Sequence, residues 1–179
     1  MTLDETQLLE TQRAFDSVAA DYDGPRGNNE LIQRMRLSLW ETVRRELPPG
    51  SRLLRPGGKL VFSVIGRVCP WEVGHYASKG RFKRAAVRAA RGATAVGMNR
   101  HTIWTYYYLP REFYRAFAAH FSLDSYRALS LFMPPPYLVD YYRRRQAWCE
   151  RLGRLDDRFG ALPLLRDMGD HFLIVMQRR

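Results

Sequence analysis

This sequence has few cysteines and no long apolar run. Its 179 residues include two cysteines, Cys69 and Cys149, which exclude a disulfide framework and give no metal-ligand spacing. The longest apolar runs, 60–66 and 171–176, are far below the roughly 20 residues that a membrane span requires. The polar, acidic N-terminus does not resemble a secretory signal. We therefore expect a cytoplasmic protein with no membrane span.

Acidic residues are missing from the middle of the chain, where none occurs between Val73 and Pro110. The net charge is +11, and basic residues recur from Lys79 to Arg100. Such a field favours an anionic partner, whether nucleic acid, acidic lipid or a phosphorylated or carboxylated small molecule. A solvated basic face without any partner explains the same pattern. No recognisable nucleic-acid-binding module accompanies the segment Lys79–Arg100, so nucleic acid is an alternative partner and not the first choice.

The hydrophobic pattern predicts a single α/β domain over residues 1–179. Asn28 or Asn29, residues more typical of helix caps than of ligands, should begin a helix that ends near Leu47. The apolar run 59–66 predicts a buried strand covered on both faces. Further helices are predicted over 4–22, 71–91 and 137–159 and from Pro110, and further strands over 103–108, 122–133 and 171–177. The helix over 71–91 should carry a basic stripe, with Ala85, Ala86, Ala89 and Ala90 on its packing side. The helix from Pro110 should have Phe113, Phe117 and Phe121 as its apolar stripe.

Four segments resemble, in the same order, class I S-adenosylmethionine-dependent methyltransferases. Residues 14–23 (AFDSVAADYD) are similar to the opening motif of that family, and 55–67 (RPGGKLVFSVIGR) to the turn and fifth strand. Residues 107–129 resemble its following helix and sixth strand, and 170–179 its terminal seventh strand. The resemblance implies methyl transfer from S-adenosylmethionine to a small-molecule acceptor. It also implies that strand 171–177 lies between strands 59–66 and 122–133.

The chain departs from that family where the methyl donor should bind. Ser51–Leu54 resembles the root of a first strand, yet the turn at Arg55–Gly58 follows at once. The glycine-rich loop and the acidic ribose ligand belong between Leu54 and Arg55, and neither is there. We therefore expect a remnant of a Rossmann-like methyltransferase sheet, with about three core strands in a mixed sheet and flanking helices. Residues 1–54 would form a helical segment and strand stub, and 55–179 the C-terminal part of the fold.

The resemblance also indicates candidate site residues. Tyr22 resembles a position that approaches the cofactor in such enzymes, but without the glycine-rich loop, packing on the core is the favoured explanation. Trp104, Tyr106 and Tyr108 are candidates for an aromatic wall that contacts the acceptor, with ordinary strand packing as the alternative. Because residues alternate along a strand, Tyr106 and Tyr108 should share one face and Tyr107 the other. The four histidines show no metal-ligand spacing, and Cys69 has no obvious His partner that would activate it as a nucleophile.

The expected function is that of a methyltransferase-like protein with little or no S-adenosylmethionine binding. The alternative is a non-catalytic interaction protein, or a basic nucleic-acid-binding protein. Loss of a neighbouring strand would leave an apolar edge on strand 59–66, which predicts a homo-oligomer formed through that edge, a heteromeric partner or poor solubility. Ser51–Leu54 or the segment Thr102–Tyr108 is the candidate cover for this edge.

Overall fold

A computed structural model describes residues 4–19, 28–47, 55–98 and 100–179. The helices are α1 Glu5–Val18, α2 Glu30–Glu46, α3 Pro70–Ala77, α4 Phe82–Ala85, α5 Pro110–Arg115, α6 Val139–Arg144 and α7 Gln146–Phe159. The strands are β1 Lys59–Ile65, β2 Thr94–Met98, β3 His101–Thr105, β4 Phe121–Leu129 and β5 His171–Arg178. Short 3₁₀ turns cover Val87–Ala89, Pro136–Leu138 and Leu165–Asp167. None of the described helices is long and apolar enough to cross a membrane.

The three longest strands form one sheet in the order β1-β5-β4. The expected position of the last strand, between the other two, is confirmed. Both pairings are antiparallel, with Phe62 opposite Ile174 and Tyr126 opposite Ile174 on the other side. The prediction of a mixed sheet is therefore wrong for this sheet, because β5 runs against both of its neighbours. The α/β class is confirmed at the level of a small antiparallel sheet with flanking helices.

One face of this sheet carries the aromatic core. Phe172, Ile174 and Met176 of β5 are buried there with Tyr126. Phe113 packs against Phe117 with ring centroids 5.2 Å apart, and Phe117 contacts Phe121 at 6.3 Å, so the predicted apolar stripe is confirmed. The helix itself is only one and a half turns long, because turns replace it from Ala116 to His120.

Strand β1 is less covered than the sequence predicts. No side chain from Lys59 to Ile65 is fully buried, and Ser63 is exposed, so the prediction of a buried strand covered on both faces is wrong. The cause is its position at the edge of the sheet. Tyr108 covers only the end of that edge: its N–H donates to the Ile65 carbonyl (3.3 Å), and its carbonyl accepts from the Arg67 N–H (3.0 Å). Ser51–Leu54, the other candidate cover, lies outside the described residues.

The N-terminal helices agree with the sequence. The Asn29 side chain caps α2 by accepting from the N–H groups of Leu31 (3.1 Å) and Ile32 (3.2 Å). Helix α1 packs against the β2–β3 hairpin, where the Trp104 N–H donates to the Thr11 hydroxyl. The first strand of that hairpin, β2, was not predicted, because Thr94–Met98 contains two small residues and no strong alternation.

Two predicted helices and one strand are interrupted. The helix expected over 71–91 breaks at Gly80, whose φ of +68° lies outside the helical region, and only short helical pieces follow. The helix expected over 137–159 breaks at Arg145, where φ is −136°. Strand β4 ends at Leu129, not at Met133, because Ser130 adopts a φ of +52°.

Candidate ligand cavity with a buried ion cluster and an Asp–His pair

A buried arginine joins the start of β5 to helix α3. The Arg88 guanidinium donates to Glu72 through Nε (2.8 Å) and to Asp170 Oδ1 through Nη2 (2.6 Å). It also donates through Nη1 to the backbone carbonyls of Gly66 (2.9 Å) and Asp170 (3.1 Å), and Nη2 lies 2.6 Å from Glu72. We call Arg88, Glu72 and Asp170 the ion cluster. Because all three side chains are buried, each charge depends on the others for compensation.

The electrostatics of the cluster follow from burial and pairing. Burial alone would raise the pKa of the Asp170 carboxyl, but the hydrogen bond from His171 and the charge of Arg88 outweigh it and lower that pKa. Burial opposes the charged form of Arg88, yet Asp170 and Glu72 raise its pKa, so the guanidinium stays protonated. The neighbouring Cys69 is different, since burial and the charge of Asp170 raise the pKa of its thiol to about 12. Cys69 is therefore a thiol at neutral pH and a poor nucleophile.

A metal ion does not fit this cluster. The Cys69 sulfur and the carboxylates of Glu72 and Asp170 lie within 4.8 Å of one another, which is a possible ligand spacing. Both carboxylates, however, already accept from the Arg88 guanidinium. A cation would have to enter beside that fixed positive charge and ionise a thiol whose pKa is raised. The cluster is therefore a structural ion pair network.

An apolar cavity of about 380 Å³ lies next to the ion cluster. Its aliphatic side chains are Ile32 from α2, Ile65 from β1 and Val96 and Ile103 from the β2–β3 hairpin. Seven further residues of the wall carry polar groups. They are Asn29, Arg88, Thr105, Tyr107, Tyr137, Asp170 and His171. An apolar wall with a few converging polar groups is the usual composition of a small-molecule site.

A second, more polar cavity of about 450 Å³ adjoins the first. Arg88, Val96, Tyr107 and Tyr137 line both, so we describe them as an apolar lobe and a basic lobe of one site. Lys83 and Arg84 line the basic lobe. The Tyr107 ring lies beneath the Arg88 guanidinium at 5.2 Å, so the ion cluster fixes part of the wall between the lobes. Burial raises the pKa of Tyr107 and, with the charge of Glu72, that of Tyr137, so both phenols stay neutral.

His171 is the titratable group of the apolar lobe with a geometry suited to proton transfer. Its Nδ1 lies 2.9 Å from Asp170 Oδ2, while the other oxygen of Asp170 binds Arg88. A buried carboxylate on Nδ1 fixes the tautomer of the imidazole and directs the other nitrogen away from it. Within the described part of the chain, Nε2 of His171 has no hydrogen-bond partner. It is therefore available to a ligand in the lobe.

The predicted site residues lie in different places. Tyr22 falls outside the described residues. Tyr106 and Tyr108 stack on one another with centroids 6.1 Å apart, so they share one side as predicted, although β3 ends at Thr105 and the three tyrosines follow the strand. Trp104 does not join them, because its indole N–H donates to Glu10 of α1 at 2.6 Å. Tyr108 packs against Phe113 of the core, and it is Tyr107 that lines the two lobes. Substrate binding by Trp104, Tyr106 and Tyr108 stays a prediction.

The basic segment Lys79–Arg100 is divided between two roles. Arg88 belongs to the buried ion cluster, so its side chain cannot contact an external partner. The alanines predicted to pack do not do so as a set, since Ala86, Ala89 and Ala90 are exposed. The remaining basic side chains are exposed. They are Lys79, Arg81, Lys83, Arg84, Arg91 and Arg100. Nucleic-acid binding through them stays a prediction.

The turn between β1 and α3 does not have the form of a methyl-donor loop. A Cβ at Gly66 would lie 2.7 Å from the Gly169 carbonyl, so protein backbone already fills the space that a glycine leaves for a ligand. The N–H groups of Gly66 and Arg67 donate to Asp170 and Tyr108. These two N–H groups are therefore not free for the carboxylate of S-adenosylmethionine.

Comparison with known proteins adds no family: no protein-family model matches the sequence, and no curated protein matches it either.

Proposed function

We propose that this chain is a methyltransferase-like protein that binds a hydroxylated aromatic small molecule in the apolar lobe and does not bind the methyl donor. The observation that carries the proposal is the apolar lobe with His171 in its wall, hydrogen-bonded to buried Asp170. The strand order β1-β5-β4 supports the methyltransferase-like part, because the resemblance implies that order.

The size and lining of the lobe favour a flat apolar ligand. Ile32, Ile65 and Ile103 offer aliphatic contacts, and removal of apolar ligand surface from water is the main source of affinity in such a site. The side chains of Asn29 and Tyr137 are already hydrogen-bonded, to the start of α2 and to Glu72. A ligand with a single hydroxyl would therefore pair with Nε2 of His171 and leave the rest of its surface against the aliphatic side chains.

The chemistry that the lobe supports is removal of the hydroxyl proton. The ligand O–H donates to Nε2 of His171, the proton moves to that nitrogen, and a phenolate and an imidazolium result. The Asp170 carboxylate stabilises the imidazolium through Nδ1–H, as in other Asp–His pairs. In an intact relative this step would prepare an acceptor oxygen for methyl transfer. In this chain it ends with a bound phenolate.

The first test addresses the donor. Isothermal titration with S-adenosylmethionine at millimolar concentration should give no binding heat, because the glycine-rich loop that binds the donor in the methyltransferases this chain resembles is missing from the sequence. A micromolar dissociation constant would overturn the donor-free part of the proposal and restore a methyltransferase activity to be assayed.

The second test addresses the acceptor, with 4-nitrophenol as the probe, since its phenolate absorbs visible light and reports binding and proton transfer together. Wild-type protein should bind it and increase the phenolate absorbance at neutral pH. Ile103→Trp, which fills the lobe, should weaken binding at least tenfold. His171→Asn should bind with little phenolate signal, and His101→Asn on the exposed hairpin should behave as wild type. Absence of binding, or an unchanged signal in His171→Asn, would refute the assignment.

A further inference from the structure

Helix α7 presents an apolar stripe to solvent, apart from the site already described. Trp148, Leu152, Leu155 and Phe159 fall within about 60° of one another around the helix axis. Trp148 is 52% exposed and Leu155 38% exposed, while Leu152 and Phe159 are half-buried. The buried face is a separate one, formed by Cys149, Gly153 and Asp156. The stripe is therefore separate from the fully buried face, and Trp148 and Leu155 remain open to solvent.

An apolar groove of about 640 Å³ extends from this stripe toward α3. Trp148 and Leu152 line one side, and Trp71 lines the other. Trp71 is fixed in place, since its indole N–H donates to the Phe132 carbonyl at 2.6 Å and its ring meets that of Tyr141 at 5.6 Å. The groove and the stripe together give a continuous aromatic and aliphatic surface that is open to solvent.

Three arginines border the stripe on one side only. Arg151, Arg154 and Arg158 occupy about the next 60° of the helix, on the side away from Cys149 and Gly153. All three are exposed, and none forms an ion pair within the described part of the chain. Arg158 instead lies over the Phe159 ring at 5.4 Å. The acidic residue that follows Asp156 does not neutralise them, because Asp157 pairs with Arg34 and Arg127.

We propose that this face of α7 binds the surface of an anionic lipid membrane, with the helix lying in the interface. Trp148 and Leu155 enter the boundary between headgroups and acyl chains, and the three arginines contact lipid phosphates. An exposed apolar stripe with cations along its edge and tryptophan at one end is the composition of interfacial helices. The charge of the arginines selects an anionic surface over a neutral one.

The test is cosedimentation with vesicles of phosphatidylglycerol and phosphatidylcholine, compared with vesicles of phosphatidylcholine alone. Wild-type protein should bind the anionic vesicles, bind the neutral ones weakly, and be released as salt rises. Neutralising the arginines in Arg151→Gln/Arg154→Gln/Arg158→Gln should weaken binding on the order of a hundredfold, at about fivefold for each arginine.

Matched controls separate this surface from general charge. Arg81→Gln/Lys83→Gln/Arg84→Gln removes three exposed charges elsewhere and should change vesicle binding by less than the α7 variant does. Trp148→Ala should weaken binding, whereas Trp40→Ala, at a tryptophan of α2 that is 58% exposed, should not. Equal losses in the two triple variants, or no effect of Trp148→Ala, would overturn the proposal. Retention of RNA by the α7 arginines without vesicle binding would also overturn it.

Discussion

Replacing Arg88 with methionine should cost more stability than any exposed substitution in this chain. Met has a similar length but no charge, so Arg88→Met leaves the Glu72 and Asp170 carboxylates buried without a cation. Breaking a buried ion pair in this way costs about 3–5 kcal/mol. For a domain of this size each kcal/mol lowers the melting temperature by about 2–4 °C, which predicts a loss of roughly 6–20 °C. Urea denaturation followed by circular dichroism measures the free energy directly.

The pH dependence of this loss has a definite sign. Asp170 has a lowered pKa in the folded protein, so its stabilising contribution is present above its unfolded value of about 3.9 and is lost as the pH falls through the folded value. The difference in stability between wild type and Arg88→Met should therefore be full at neutral pH. It should shrink in acid, where wild type loses the contribution as well.

Two further variants decide whether unpaired charge is the cause. Arg88→Met/Glu72→Met/Asp170→Leu removes the whole cluster and should be less destabilised than Arg88→Met alone, because no buried charge remains. Arg84→Met, at an exposed arginine, should stay within about 0.5 kcal/mol of wild type. The reasoning is refuted if Arg88→Met loses under about 1 kcal/mol, or if the triple variant is as unstable as the single one.

Three other predictions concern the backbone, the sheet edge and the basic segment. Gly169→Ala should lower the free energy of unfolding, measured by urea denaturation, by about 2 kcal/mol or more, because Gly169 has a φ of +129° and an added Cβ would lie 2.7 Å from a backbone carbonyl. Gly74→Ala in α3 is the control: nothing lies within 4 Å of the added Cβ, so it should not destabilise the protein. Sedimentation velocity should show self-association through β1, and Ser63→Lys should shift it toward monomer; a monomeric wild type would contradict the predicted oligomer. If the segment 79–100 binds RNA, Arg81→Gln/Lys83→Gln/Arg84→Gln should lower the salt slope of binding by about 3, and wild-type binding that does not depend on salt would exclude it.

The sequence predicts the parts of the fold that depend on local signals. Asn29 marks the start of α2, and the two apolar runs give β1 and β5, because helix caps and hydrophobic runs act over a few residues. The order of the strands came from the family resemblance, not from periodicity. The prediction of one helix over 71–91 is wrong. Its alanines and arginines favour a helix locally, but the positive φ of Gly80 and the burial of Arg88 in the ion cluster interrupt it.

The candidate site is harder to predict because its members are distant in sequence. Arg88 is 16 residues from Glu72 and 82 from Asp170, and only the folded chain brings them together. In the sequence, nothing distinguishes Arg88 from the neighbouring basic residues. The one local signal was the pair Asp170–His171 directly before an apolar strand, which places a carboxylate beside an imidazole at a strand end. Tyr107 was visible only through alternation, as the residue on the other face from Tyr106 and Tyr108.

Strand β5 is central in the sheet but is synthesised after both of its neighbours, and this order affects folding in the cell. Among the strands that the structure describes, β1 and β4 do not pair with each other, and both pair with β5, which the ribosome makes last of the three. Until residues 171–178 have been made, both outer strands lack their partner in this sheet. Lys59, for example, pairs with Gln177. Long-range pairing of this kind is slow and exposes unpaired strands meanwhile. The nascent chain is therefore expected to need protection by chaperones more than its size suggests.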